Sequence, residues 1–260
     1  MSLPTWTPAA LLSEARPFRG QGWRLVEAQH RVSTLRMVDS LAEQELLEDI
    51  LEETKPALPI ECRHLDYLLS TPFRYTAAYP SGSRFRKAGK SLGVFYASEE
   101  PETAVAEMVF YRYLFFAESP GTPLPDRAAE YTAFSVELAT RRGLDLTSEP
   151  LVQNRESWTA FQDYAACQQL AGDAREADVE LIRYESVRDP RRRANLAILH
   201  CLAFAEPAPV ERQTWRIRLA RERAQAVCEY PPRGIELERS SFEADPRLGG
   251  HPQVSSNAPA

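Results

Sequence analysis

Apolar positions along the chain follow two periods. Ser40-Leu41-Ala42-Glu43 fits the S-x-x-E capping box, in which serine and glutamate satisfy each other's exposed backbone N–H groups. Leu47, Ile50, Leu51 and Thr54 then recur at helical spacing until Lys55-Pro56 ends the run. The expected helix lays an apolar stripe on the main domain, with Glu45, Glu48, Asp49, Glu52 and Glu53 facing water. Gly22 to Val32 shows a mixed pattern and takes no assignment. Cys62 to Leu69 suits a short helical turn, and Thr71-Pro72 predicts an extended entry into Phe73-Arg74-Tyr75. Pro80-Ser81-Gly82 is turn chemistry.

Gly93 to Ala97 is short, apolar and aromatic, as in a buried strand. Ser98 is placed to cap a following helix, with Glu99, Glu100 and Glu102 at its positive end and Pro101 where no hydrogen bond is lost. On that helix Ala104, Glu107, Met108 and Tyr111 share one face. A carboxylate in this stripe is out of place, because an unpaired buried charge is costly. Either Glu107 meets an arginine such as Arg74 or Arg84 in a structural ion pair, or it faces a cleft and meets a cationic substrate.

Farther on, Thr132, Phe134, Val136 and Leu138 alternate with Tyr131, Ala133, Ser135 and Glu137, the period of a half-buried strand, and Arg141-Arg142-Gly143 predicts a turn. Trp158, Phe161 and Ala165 trace a helix face that runs on to about Leu170. Strands are expected over Val179–Tyr184, Asn195–Phe204, Thr214–Leu219 and Ala226–Tyr230, with Ser186 to Pro190 a loop and Arg191-Arg192-Arg193 a solvated turn. The picture is an α+β protein: a mostly helical N-terminal extension over 1–70, a mixed-sheet domain over 71–242, and a disordered tail over 243–260 rich in Pro, Gly, Ser and Asn.

Charge and composition narrow the chemistry. Lys and Arg number 31 against 37 Asp and Glu, a net charge of −6, which disfavours direct nucleic-acid binding. The four cysteines and four histidines are scattered without ligand spacing, so no metal site is expected and a reducing cytoplasm suits the thiols. No signal-peptide pattern and no long apolar run occurs, so a cytoplasmic protein without membrane association is expected. The G-x-G-x-x-G of a Rossmann dehydrogenase and the G-x-S-x-G elbow of a serine hydrolase are both missing. What stands out is Ser83 to Glu107: a cationic loop (Arg84, Arg86, Lys87, Gly89, Lys90), then Tyr96, then Glu107, the materials of a site for an anion joined to a sugar.

PFRY at Pro72–Tyr75, SRFR at Ser83–Arg86, FYAS at Phe95–Ser98, TAVAE at Thr103–Glu107 and ESVRDP with Asn195 downstream together resemble the RES domain, named for its arginine, glutamate and serine. Arg84 to Tyr96 is twelve positions and Tyr96 to Glu107 eleven, close to the family's intervals. Phe85 stands where tryptophan is frequent, and the segment from Glu107 to Ser186 is long. The resemblance implies an ADP-ribosyltransferase-like mixed sheet and a toxin of a bacterial toxin–antitoxin pair. It further implies NAD+ as a consumed substrate with no other cofactor, and an Xre-type helix-turn-helix antitoxin as partner. By the same resemblance Glu107, Arg84, Tyr96 and Ser186 are catalytic, with Arg74, Arg84, Tyr96 and Ser186 binding NAD+.

One carboxylate suits such a reaction. Ordinary glycosidases use two, because the leaving oxygen must be protonated. Nicotinamide leaves NAD+ as a neutral molecule, so a single acidic group that stabilises the ribosyl cation and holds a ribose hydroxyl suffices. Arg84 and Arg74 would grip the pyrophosphate, Tyr96 would stack on nicotinamide or bond the ribose, and Ser186 would anchor the amide or a sugar hydroxyl. The plainer readings are a core aromatic for Tyr96 and a loop serine closing an ST-turn for Ser186. The ADP-ribose acceptor is left open among water, phosphate and a target protein. A non-catalytic binding module built on an Arg/Glu network and an RNA-cleaving toxin are the competing functions.

Overall fold

The computed structural model describes residues 6–27, 37–74, 82–89 and 91–249. Residues 28–36, Tyr75, the Pro80-Ser81 part of the expected turn, Lys90 and the 250–260 part of the tail lie outside the described residues. The architecture is α+β, with helices set against an eight-stranded mixed sheet. Its organising strand is β3 (Ala129–Asp145), which continues through the Arg141-Arg142-Gly143 expected to turn. One edge of β3 pairs antiparallel with β1 (Arg16–Glu27). The other edge pairs first with β6 (Glu211–Leu219) and then, from Gly143 to Asp145, in parallel with β4 (Leu181–Glu185).

From β4 the pairing passes antiparallel to β5 (Ala194–Ile198), to β2 (Phe95–Ser98), and back to β1 through Trp23 and Ser98. Five strands thus close a ring, while β6, β7 (Arg223–Cys228) and β8 (Arg233–Glu238) extend it as an antiparallel ribbon. Closure buries both faces of β3, so Tyr131, Ala133, Ser135 and Phe134, Val136, Leu138 are all covered. The strand expected to be half-buried is therefore covered on both faces along its centre, with Thr132 and Glu137 left half-buried. Parity sorts the ring strands: Phe95, Ala97, Leu181, Leu196 and Ile198 join one apolar cluster, and Tyr96, Tyr184 and Ala197 join another on the opposite face.

The N-terminal region is not helical throughout, since it also supplies a strand to the sheet. It holds a seven-residue helix, α1 (Pro8–Glu14), and then the previously unassigned β1, whose Trp23 and Leu25 pack beneath a long helix, α4 (Pro101–Glu118). Two glycines and four charged residues hid a strand whose main partner, β3, lies over a hundred residues away. Helix α2 (Leu41–Thr54) begins at Ser40 as expected, with Ser40 Oγ accepting from Glu43 N at 3.2 Å. Glu43 reaches back one residue farther, to Asp39 N. Its apolar stripe is not laid on the main domain: Ile50 and Leu51 are exposed, and of the helix only Gln44 is buried.

Helix α3 (Tyr67–Arg74) contains Pro72 where an extended entry was expected. Gly93 explains how α3 reaches β2, because a β-carbon at Gly93 would collide with the Pro72 carbonyl oxygen. The expected helix through Trp158 and Phe161 breaks into one turn, α5 (Arg155–Trp158), and α6 (Ala165–Glu176). The strand expected over Asn195–Phe204 stops at Ile198 and gives way to a 3₁₀ turn at Cys201–Ala203. The tail expected to be disordered from residue 243 continues into a single helical turn, α7 (Pro246–Gly249), with Asp245 and Leu248 buried.

The loop between β4 and β5 is tied to α4 by Asp189, which is 1% exposed. Asp189 accepts from Thr103 Oγ1 at 2.7 Å, from Arg193 Nε at 2.6 Å and from Arg191 N at 3.0 Å. Burial pushes its carboxyl up, but these bonds and the Arg193 charge outweigh burial and hold it below the usual carboxylate range.

Two outcomes follow. Replacing Gly93 with Ala should destabilise the fold by roughly 1–3 kcal/mol or more, as overpacking against backbone does; an unshifted urea midpoint would contradict the packing described. Because the Asp189 pKa is depressed by folding, its contribution is present above the unfolded value of ~3.9 and is lost as pH falls through the folded value. Asp189→Asn should therefore lower the urea midpoint at pH 7, with the gap to wild type closing below about pH 4. A gap that stays constant down to pH 2 would show that the carboxylate charge is not what Asp189 contributes.

Candidate functional site

Register places the site. Ser98 on β2 and Tyr184 on β4 both stand opposite Asn195 on β5, so the three side chains share the sheet face that carries Tyr96. Ser98 Oγ donates to Asn195 Oδ1 at 2.6 Å, which fixes the amide orientation and turns its NH2 outward. Ser98 is therefore not the cap of α4; that position falls to Glu100, whose side chain makes no capping bond, and Pro101 opens the helix.

Asn195 Nδ2 donates to Glu107 Oε1 at 2.6 Å, and Ser186 Oγ donates to the same oxygen at 2.7 Å. Ser186 sits one residue past β4, and its oxygen accepts from the N–H groups of Arg188 (3.3 Å) and Asp189 (3.0 Å). The ST-turn and the contact with Glu107 are thus both present, and the first orients the second. Glu107 Oε2 makes no hydrogen bond among the described residues. The result is a half-buried carboxylate locked through one oxygen, with the other making no hydrogen bond among the described residues.

Arg84 arrives from a tight turn in which Ser83 and Arg86 exchange backbone hydrogen bonds. Gly82, at φ +63°, lets the chain enter it, and Gln168 Nε2 on α6 clamps the Ser83 and Arg86 carbonyls. Tyr96 staples this turn to the sheet: its hydroxyl accepts from Phe85 N at 3.0 Å and lies 2.8 Å from Ser83 Oγ. Burial pushes that hydroxyl up to about 12, against the pull of the Ser83 and Phe85 bonds, so it stays protonated at physiological pH. Arg84 is 8% exposed and donates to the Trp158 carbonyl at 2.6 Å and the Ala160 carbonyl at 2.9 Å, with the Tyr164 ring 4.8 Å from its guanidinium carbon.

The cluster therefore brings together Glu107, Ser186 and, beside them, Tyr96 with Arg84 on the turn it holds. Tyr184 links the two parts: burial first, then the nearby Glu107 and Tyr96, raise its hydroxyl well above the usual range, and Arg84 pulls the other way. The expected guanidinium flank at contact distance is not found: among the described residues Glu107 has no arginine within ion-pair distance, and neutral donors take that place. Arg74 shares no bond with the cluster; it pairs with Glu52 on α2 at 2.5 Å.

Sequence reasoning did not place Asn195, Tyr184 or Gln168 in the site. Asn195 was within reach, since it follows the ESVRDP motif and falls in a strand otherwise wholly apolar. A buried amide in the middle of a three-strand register needs a partner, and that requirement points to a neighbouring acid.

No helix among the described residues is long and apolar enough to cross a membrane. Compared by sequence with curated proteins, the chain matches none. Among solved structures it is similar to a chain of the crystal structure of the M. tuberculosis MbcT-MbcA toxin-antitoxin complex, at 11% identity and a TM-score of 0.41, over 90% of this chain and 96% of that one. The RES domain model matches residues 58–220, which spans Arg84, Tyr96, Glu107, Ser186 and Asn195, and with more than half its length so matched the chain belongs to the RES domain family.

Proposed function

We propose that this protein cleaves the bond between nicotinamide and ribose in NAD+ and acts as the toxin of a toxin–antitoxin pair. The observation that carries the reading is the Glu107 carboxylate, held through Oε1 by Ser186 and Asn195 with Oε2 unspent. Departure of neutral nicotinamide needs no proton donor at the leaving group. It does need negative charge fixed where the ribosyl cation develops, and a preorganised carboxylate supplies this without reorganising as the bond breaks. Glu107 Oε2 is the atom assigned to the ribose.

In this reading Ser186 is a positioning residue, because its one proton goes to Glu107 and its oxygen already accepts two N–H groups. Tyr96 is likewise a positioning residue for the Arg84 turn. Arg84 supplies permanent positive charge beside the site for the anionic half of the dinucleotide. Arg74 would reach a phosphate only by giving up Glu52. ADP-ribose passes to water, phosphate or a side chain of a target protein, and NAD+ is a substrate with no redox role. An antitoxin of the Xre helix-turn-helix type is the partner expected to restrain the activity.

Purified protein incubated with NAD+ should release nicotinamide. Glu107→Gln, which keeps the shape and removes the charge, should lower the rate by on the order of 10²–10³-fold with little change in KM. Full activity in a folded Glu107→Gln variant would remove the residue from the chemistry. Labelled NAD+ added to lysate separates transfer to a protein from release to small acceptors. Because the Tyr96 hydroxyl stays protonated to about pH 12, Tyr96→Phe should lower the rate without changing the shape of the pH profile between pH 6 and 9. A limb of the wild-type profile that vanishes in Tyr96→Phe would instead make Tyr96 a proton-transfer group.

A further inference from the structure

Arg188 stands two residues past Ser186, and its side chain is only 3% exposed. Its Nη2 makes the side chain's two hydrogen bonds, to the Phe161 carbonyl at 3.0 Å and the Tyr164 hydroxyl at 3.3 Å, and its ion pair with Asp245 Oδ2 at 3.0 Å. Nε and Nη1 are buried and have no hydrogen-bond partner among the described residues. An arginine presents five N–H donors in a rigid fork, and leaving two of its nitrogens unpaired away from water is a cost a chain normally avoids. The Phe110 and Phe161 rings cover the guanidinium at 4.5 and 5.6 Å, so it is built into place.

Beside it lies a cavity of about 250 Å³, whose wall includes Arg188, Phe161, Asp189, Arg192, Phe242 and Asp245. Asp189 is spent on Thr103, Arg191 and Arg193, and Arg192 pairs with Glu185 at 3.3 Å at the surface. Asp245 enters from the segment after β8 and does not depend on Arg188 alone, since Arg247 holds it through two bonds at 3.0 and 2.8 Å. A single carboxylate oxygen thus sits on a fork made to take two or three oxygens, and it has a second cation to retreat to.

The geometry points to Arg188 as the anchor of a binding site for a phosphate-class anion, which Asp245 occupies as an internal carboxylate until the anion displaces it. The Tyr164 hydroxyl bonds Arg188 while its ring lies against Arg84, so one side chain joins the anchor to the residue on the Tyr96-held turn. The site takes its location from the Glu107 assignment but does not depend on NAD+ being cleaved there. A phosphoryl group of a bound dinucleotide and a free inorganic anion offer the same chemistry.

Hydrogen exchange of the wild-type chain, with and without inorganic pyrophosphate, tests the site on the intact protein. The amides of Glu243–Gly249 should exchange several-fold faster when pyrophosphate is present, and unchanged exchange with both pyrophosphate and NAD+ overturns the proposal. A response to NAD+ in Glu107→Gln with none to pyrophosphate assigns the site to the dinucleotide, and the reverse assigns it to a free anion. By calorimetry, Asp245→Asn should bind pyrophosphate at least tenfold more tightly than wild type, and Arg188→Gln should not bind it. Measurable pyrophosphate binding with equal affinity across these variants overturns the proposal, and if either variant fails to fold the wild-type exchange result decides. Nicotinamide release is not used as a readout, so failure of this site and failure of the NAD+ reading remain distinguishable.

Discussion

The two donors that converge on one oxygen of Glu107 set what the rest of the site must do. A carboxylate on a helix face swings through its rotamers unless both its position and its plane are fixed, and here Ser186 and Asn195 fix them from two different strands' ends. Each donor is itself constrained. Ser98 orients the Asn195 amide, and two backbone N–H groups of the β4–β5 loop hold the Ser186 hydroxyl. Asp189 in turn ties that loop to the first turn of α4, the helix that carries Glu107. The acid and its holders are therefore one mechanical unit, and a shift in the loop is felt at the carboxylate.

This unit requires the ring of strands. Asn195 meets Ser98 and Tyr184 only because β5 lies between β2 and β4 in the observed register, and a slip of one residue would turn Asn195 into the apolar cluster on the other face. The ring closes through β1, so a strand near the N-terminus supports a site built from residues beyond 80. Arg84 depends on the same face, since Tyr96 holds its turn from β2.

Much of this was legible in the sequence, and the misses share a cause. Local signals were enough for the start of α2 at Ser40, for the existence of α4 though not for its cap, and for an acid misplaced on its face. The meeting of Glu107 with Ser186 came from motif order rather than from any physical pattern. What could not be read was pairing at long range: β1 has no clean period because its neighbours are supplied by β3, and β3 reads as half-buried because nothing local shows that both its faces are covered. The guanidinium flank was expected because charge seeks charge. The structure satisfies the acid with neutral donors, and Arg84 with carbonyl groups and a ring, so neither charge is paired with an opposite one.

A double-mutant cycle on nicotinamide release bears most directly on this account. Ser186→Ala and Asn195→Ala each remove one donor from the same oxygen, so each should slow the reaction, and the double variant should fall well short of the product of the two, because a carboxylate already freed loses little more. Effects that multiply independently, or single variants that release nicotinamide at the wild-type rate while remaining folded, would contradict the claim that the pair aims Glu107.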